Sequence, residues 1–505
     1  MFQIDYLSDA ANLQPFYKYS PQKPDFLSII KDKTFSQAQR QTLVTVLKEQ
    51  YEGIGNAEKS LQNIEKLLSS NAFTVTTGHQ LCLLGGPMFT HYKVMTAINL
   101  AEELAKKHAD FQFVPIFWIH TEDHDFAEIN HFFADFVAKK TYKGTFVGAV
   151  GRHILEESIL DILPKNLPEN LKKCFVIGQT WTQTYRLFMH ELFGKYGIVM
   201  LDADDKRLKA YFSPVLQAEL QENAAQKCIL KTNAEMLLAG YKPQVQPQPI
   251  NLFYLDEKGR NRLESSENEA GEKVFSPLNR SEMQFSEAEI VALVQDEPQL
   301  FSPNVCLRPL YQEMILPNLA YIGGWAEVAY WLQFKGVFEH FGINFPLVMP
   351  RFSATIFGEK EAETWQKLGF SLSEIQQKLP ILWEKYAQKN ESLAEFETWK
   401  TEMEAVWQKG AALFAENPRL INNILGQKKQ FSHFFKHFHK KQLHSLREKN
   451  PIPYQQIQSI KLATQPDNTV QERVLCIAAF PMTLIESIKN VCKPLVYKHL
   501  YLIQS

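Results

Sequence analysis

Residues 72–125, AFTVTTGHQLCLLGGPMFTHYKVMTAINLAEELAKKHADFQFVPIFWIHTEDHD, decide the fold. The stretch opens on a short β-branched run ending in glycine, the pattern of a buried strand. A glycine-bearing loop follows, and then Pro87 introduces a long segment with apolar residues at helical spacing, proline fitting the first helical position. FVPIFWI (113–119) is a second apolar run of strand length. Strand, loop, helix and strand make a βαβ unit, which needs a parallel sheet. Further strands are expected in GIVMLDAD (197–204), LAYIGG (319–324) and FPLVMPRFSATI (345–356), with helical segments between them. The expected fold is α/β: a doubly wound parallel sheet assembled from pieces distant in sequence.

Working outward, residues 1–70 read as an N-terminal helical segment, with Ser36 as an N-cap. Residues 71–224 form the first part of the core. From 225 to 300 the chain turns polar, and KPQVQPQPINLFYLDEKGRNRLES suggests a proline-rich linker and a hairpin through Glu257-Lys258-Gly259, hence an inserted connecting subdomain or lid. Residues 301–359 return to the core. In 360–460, Phe396, Trp399, Met403, Val406, Gly410 and Leu413 recur three and four apart. Ile421, Ile424, Phe431, Phe435 and Phe438 keep the phase, with Lys428 a polar break. With ENPRL as the turn, this predicts two antiparallel helices in a coiled-coil-like arm, the plainer alternative being a helical subdomain packed on the core. In 461–505, ERVLCIAAF and LVYKHLYLI are apolar enough to rejoin the core.

A chain of 505 residues, 45% hydrophobic and 22% charged, has the composition of a soluble globular protein of one large core or two to three domains. A net charge of −2 argues against a nucleic-acid partner bound through bulk charge. The basic run KKQFSHFFKHFHKKQLHSLREK (428–449) reads as a phenylalanine seam with solvated lysines. No apolar run approaches the roughly 20 residues that span a bilayer, so no membrane partner is expected. The opening MFQIDYLSDAANLQPF lacks a basic n-region and an apolar h-region, so a cytoplasmic location is expected. The six cysteines show no CxxC spacing, which predicts neither a disulfide framework nor a zinc knuckle. Cys82 reads as a small apolar filler rather than a nucleophile.

Three segments can carry chemistry. The first lies between the first strand and its helix. Gly78, Gly85 and Gly86 let backbone N–H groups approach a ligand, and His79, Gln80, Thr90 and Lys93 gather around them. The positive end of the helix would face a phosphate or carboxylate there. The loop matches neither GxxxxGK[ST] nor GxGxxG, and tight packing is the alternative reading of its glycines. The second is His120-Thr121-Glu122-Asp123-His124-Asp125, at the end of a buried strand. Burying such charge is costly unless it is paired, so a site that holds an ammonium, moves a proton or grips a metal is expected. Against this, Asp123 or Asp125 can cap the next helix and Glu122 can be solvated. His120 and His124 form an HxxxH, which binds zinc when it lies on a helix. The third is Arg308, near Tyr311 and Glu313, able to fork onto a carboxylate or phosphate or to pair with Glu313.

TTGHQLCLLGGPMFTHYK, FVPIFWIHTEDHDFAEIN, LRPLYQEMILPNLAYIGGWAEVAYW and NTVQERVL, in this order, resemble the motifs of the bacillithiol biosynthesis cysteine-adding enzyme family. The resemblance runs from about residue 70 to the C-terminus. It implies a Rossmann-like core of the nucleotidylyl-transferase class with inserted connecting segments, and a C-terminal coiled coil that makes a homodimer. It also implies a ligase joining the carboxyl group of L-cysteine to the amine of glucosaminyl-malate to give bacillithiol. The family's first motif reads TGQQ, whereas this chain has Thr77-Gly78-His79-Gln80, and no KMSKS-like segment is present. As a mechanism, ATP is expected to activate the carboxylate and the loop Gly78–Pro87 with Lys93 to hold the anion. Asp123 and Asp125 would pair with the substrate ammonium, His124 or Glu122 would take the amine's proton, and Arg308 would hold the malate carboxylates. No metal is assigned. The alternatives from other classes are a metal-dependent hydrolase built on His120, His124 and a carboxylate, and a non-enzymatic coiled-coil scaffold.

Overall fold

The computed structural model describes residues 2–504 apart from 136–137, 145, 391–392 and 466–468. Five strands form the central sheet: β1 (Ala72–His79), β2 (Gln112–Ile119), β3 (Val199–Asp202), β4 (Asn318–Gly323) and β5 (Leu347–Pro350). Their order is β5-β4-β1-β2-β3, and every pairing is parallel. β1 and β2 are neighbours along their whole length, from Ala72 opposite Gln112 to His79 opposite Ile119. Helix α1 (Met88–Lys107) links them, α2 (Trp181–Phe193) precedes β3, and α3 (Trp325–Gln333) links β4 to β5. The winding reverses between β1 and β4, so the crevice beyond their carboxyl ends is the topological switch point where open α/β sheets bind ligands.

β1 carries its polarity inward. Phe73 and Val75 pack with Ala97, Leu100, Leu104, Phe113, Leu319, Ile322, Leu347 and Met349 in the core. On the other face, Thr74 and Thr76 donate to Asn318 Oδ1 at 3.2 and 2.8 Å, and Asn318 Nδ2 donates to Glu313 at 2.6 Å. Buried hydroxyls are tolerable there because each has a partner. Ser36 caps the helix Gln37–Gln50 in a reciprocal capping box with Gln39. From that helix the buried Arg40 donates to the carbonyls of Leu67 and Ala72, both at 3.0 Å, which fixes the entry into β1.

The chain divides into two compact units, residues 1–353 with 472–499, and residues 354–471 with 500–505. In the first, the inserted segment is an antiparallel sheet, ordered Phe301–Pro303, Leu252–Asp256, Gly259–Glu267, Lys273–Pro277, Phe285–Ser286. Its hairpin turns between Asp256 and Gly259. The run 345–356 is two strands, not one. β5 ends at Pro350, the Arg351 N–H returns to the Gly323 carbonyl at 2.8 Å, and Ser353–Gly358 then pairs with His499–Gln504. The last apolar run therefore completes this two-stranded ribbon instead of the central sheet.

In the second unit, Trp365, Phe370, Leu382, Trp383, Ile457 and Ile460 share a core. Helices α4 (Ala394–Leu413) and α5 (Pro418–Lys449) run antiparallel, with Asn417 capping α5. Phe396 meets Phe435 and Phe438 at ring-centroid distances of 5.6 and 5.8 Å, and Trp407 meets Phe431 at 6.1 Å. Toward the turn the seam is open: Val406 is 60% and Leu413 71% exposed. No helix among the described residues is long and apolar enough to cross a membrane.

Asn318→Ala takes the acceptor from two threonine hydroxyls and one of two donors from a Glu313 oxygen, which keeps Gln312 at 3.0 Å. It should cost about 3 kcal/mol, since a buried group left without its hydrogen bond loses about 1–3 kcal/mol. A urea titration followed by tryptophan fluorescence reads this; an unchanged midpoint would show that water replaces the amide.

Candidate active site

The tips of β1 and β2 meet. The His120 N–H donates to the His79 carbonyl at 3.2 Å. Gly78 has no room for a side chain, because a Cβ there would lie 2.7 Å from the Trp118 carbonyl oxygen and 3.3 Å from His120 Nε2. Beyond the strands, Gln80 Nε2 donates to Asp123 Oδ2 at 2.6 Å and also to Glu128. Cys82 Sγ lies 3.7 Å from His79 Nδ1, and burial pushes its thiol up to about 12, so it is held as the neutral thiol. The glycine loop and the HTEDHD segment thus form two sides of one cleft.

The floor of the cleft is cationic. Lys93 Nζ, from α1, donates to the Gly78 carbonyl at 3.0 Å and pairs with Glu327 at 2.5 Å. Glu327 also receives the Tyr321 hydroxyl and the Gly324 N–H, both at 2.7 Å. Burial lowers the Lys93 ammonium, opposed by Glu327 and assisted by Arg351 and Arg308. Burial raises the Glu327 carboxyl, but Lys93 outweighs it and the net shift is downward. The Arg308 guanidinium lies 5.6–5.9 Å from the rings of Trp118, Tyr321 and Trp331, and donates to Gln312 at 3.0 Å. Arg351 donates to Glu472 at 2.6 Å, and Glu472 in turn receives the Ser353 hydroxyl at 2.8 Å, 2.7 Å from His499 Nδ1. Arg308 Nη2, Arg351 Nε and His120 Nε2 are buried and have no hydrogen-bond partner among the described residues.

The opposite wall is acidic and already largely engaged. Glu122 is not solvated: it pairs with the buried Lys209, which also holds Asp204 at 3.0 Å. It is therefore withdrawn from the proton-transfer role expected of it. Asp125 caps the short helix Phe126–Ile129 through the Glu128 N–H at 3.2 Å. Burial raises the Asp123 carboxyl, but the bond from Gln80, the charge of Arg260 and the N–H groups of His124 and Asp125 bring it down overall. Arg260 reaches in from the inserted sheet. It packs 4.0 Å from the Phe253 ring, donates to Ser302 and Pro303, and places Nη1 3.1 Å from His124 Nδ1. The HxxxH does not lie on a helix: residues 120–125 leave β2 as irregular chain, and the helix starts only at Phe126.

Other expected residues sit elsewhere or act differently. Tyr311 is fully buried and donates to the Ala203 carbonyl at 2.7 Å. Glu313 pairs with Lys33 at 2.9 Å and with Asn318 at the start of β4, so no Arg308–Glu313 pair forms and neither Glu313 nor Tyr311 joins the cleft. Gly85 and Gly86 adopt left-handed backbone, φ 76° and 78°, that only glycine takes without strain. The Thr90 hydroxyl is buried without a partner among the described residues. Helix α1 begins at Met88, one residue later than expected, and the Met88 N–H donates to the Leu475 carbonyl at 2.8 Å. The returning C-terminal segment thus occupies part of the helix end expected to face the anion.

Arg351, Glu327, Glu472, Lys209, Arg260 and Glu128 were not singled out from the sequence. Arg351 directly follows the end of β5, where the rule of carboxyl-end crevices points. Glu327 and Glu472 stand inside segments quoted above as motifs. For Arg260, in a surface-like hairpin, the sequence holds no signal.

Two family models cover the chain: the N-terminal Rossmann-like domain of bacillithiol biosynthesis BshC over residues 1–352, and its C-terminal coiled-coil domain over 354–503. The chain belongs to the BshC family of bacillithiol biosynthesis. Relatives named "Putative cysteine ligase BshC" include the Cytophaga hutchinsonii protein, 40% identical over 374 residues, 74% of this chain and 70% of that one. The Flavobacterium psychrophilum protein is 38% identical over 75% of this chain and 72% of its own length. The Staphylococcus haemolyticus protein is 26% identical, over 92% and 89%. With these relatives, this BshC-family chain is a ligase.

Lys93→Met leaves the half-buried Glu327 carboxylate without its cation, and should cost at most about 3–5 kcal/mol, with part regained in Lys93→Met/Glu327→Gln. The folded Glu327 carboxyl lies below its usual 4.5. Its stabilisation is therefore complete above that value and lost as pH falls through the folded value. Glu327→Gln should flatten the acid limb of stability against pH; an unaltered limb would show that the pair does not set it.

Proposed function

We propose that this BshC-family ligase joins the carboxyl group of L-cysteine to the amine of glucosaminyl-malate, forming bacillithiol, while the displaced carboxyl oxygen leaves on the phosphate-bearing group that ATP supplies. The observation that carries this reading is the pair of buried, unpartnered donors, Arg308 Nη2 and Arg351 Nε, around a floor already carrying Lys93. Buried donors without partners cost free energy unless a ligand supplies acceptors. The donor set suits a carboxylate or a phosphate, so it fits both an acidic substrate and ATP as the co-substrate. ATP supplies the activation of the carboxyl group. The chain's own residues hold the anions and keep water from them, with Arg308 and Arg351 stabilising charge that develops during acyl transfer. On the facing wall, Asp123, held ionised by Gln80 and Arg260, attracts an ammonium.

Two further readings go with this one. The open end of the α4–α5 seam pairs with a second copy to make a homodimer. The reaction takes place in the cytoplasm, where thiols stay reduced.

Incubation of the full chain with L-cysteine, glucosaminyl-malate and ATP should yield one product of the summed mass less one water by mass spectrometry, and none without ATP. Arg308→Met should lower the rate about 100-fold, the scale of losing a donor to developing charge. Absence of that product with folded protein would refute the reading. By light scattering the chain should have twice its monomer mass, and Val406→Lys with Leu413→Lys should halve it.

A further inference from the structure

We infer that His79, through Nε2, accepts the proton of the attacking amine, while His124 serves as a hydrogen-bond donor. This assignment rests on the ligase reading above and deepens it.

Tautomers carry the argument. A backbone carbonyl can only accept, so the 3.2 Å contact between His79 Nδ1 and the Gln80 carbonyl favours the hydrogen on Nδ1 over the weaker arrangement in which Nδ1 accepts from the Cys82 thiol 3.7 Å away. Nε2 is left with its lone pair and has no partner among the described residues. The ring is braced edge-to-face by Phe89 at 4.9 Å, and the residue is only half-buried. At His124 the logic reverses. A guanidinium can only donate, so Arg260 Nη1, 3.1 Å from His124 Nδ1, makes that nitrogen the acceptor and puts the hydrogen on Nε2. Protonating Nδ1 would set a second positive charge against Arg260.

The remaining groups are engaged. Glu122 is held by Lys209, and Asp123 by Gln80 and two backbone N–H groups. His120 Nε2 is sealed beneath Gly78. The groups facing His79 are Lys93, Arg351, Glu327, His120 and the Cys82 thiol; those facing His124 are Arg260, Asp123 and Asp125. Burial, with Lys93 and Arg351, brings the His79 imidazole down to about 4, which keeps it neutral and its lone pair available. A bound carboxylate or phosphate would offset those cations and strengthen it as a base. In the step, the amine nitrogen forms the C–N bond to the activated carboxyl carbon and its proton passes to His79 Nε2. The C–O bond breaks, and its electron pair leaves on the phosphate-bearing group supplied by ATP.

Two measurements test this with the full chain. Long-range proton–nitrogen spectra of protein with 15N-labelled histidine, assigned with His79→Gln and His124→Gln, should show His79 protonated on Nδ1 and His124 on Nε2. This readout needs no turnover, so it stands even if the ligase reading fails. In the coupled reaction, His79→Ala should lower kcat about 10²–10⁴-fold with KM for the amine little changed, and added imidazole should restore part of the rate. His124→Ala should regain no rate with added imidazole, since no proton acceptor is removed there. If His79→Ala does not fold, His79→Phe replaces it, with the same expected loss. The inference is overturned if His79 carries its hydrogen on Nε2, if its removal leaves kcat within about threefold, or if imidazole rescues a His124 variant instead.

Discussion

The ion pair between Lys93 and Glu327 holds the two halves of the crevice in register. Lys93 rises from the helix after β1, and Glu327 from the helix after β4. Between them, the Gly78 carbonyl and the Gly324 N–H tie the pair to both strand tips. Two charges taken this far from water gain little net stability from each other. What they fix is position: with both partners satisfied, the backbone around the switch point has few alternatives. The unpartnered donors of Arg308 and Arg351 are set against this frame, and so is the glycine loop on which His79 sits.

The βαβ unit was legible because local signals agreed. β-branched residues, a glycine at the strand end and a helical period led by Pro87 all pointed one way across 72–125, and the strand tips met as the parallel topology requires. The strand at 345–356 was misread as one because apolar content alone does not reveal a corner; Pro350 and Arg351 mark it only once Gly323 is known to lie alongside. The returning segment was assigned to the core as a whole because apolarity does not say which sheet a strand will join.

The site was legible in part, for a physical reason. Sequence shows where charge accumulates but not what neutralises it. Glu122 and His124 looked equally able to move a proton. Their availability was decided by Lys209, 87 residues away, and Arg260, 136 residues away. Glu313 looked like a neighbour of Arg308 because five positions separate them, yet the helix between them sends one toward the crevice and the other toward the base of β4. Asp123 and Gln80 could be placed together because they follow adjacent strands, a relation fixed by topology alone.

Glu472 has a consequence for how the chain can be divided. The residue that grips Arg351 follows residues 354–471 of the second unit in sequence, although it belongs to the first. A fragment stopping at residue 352 would contain all five strands of the sheet and both histidines of the HTEDHD segment, yet its arginine at the end of β5 would lack its carboxylate. The helical arm is thus threaded into the enzyme as an interruption, not appended as a tail, and evolution cannot shed it by a single stop codon without also dismantling the crevice floor.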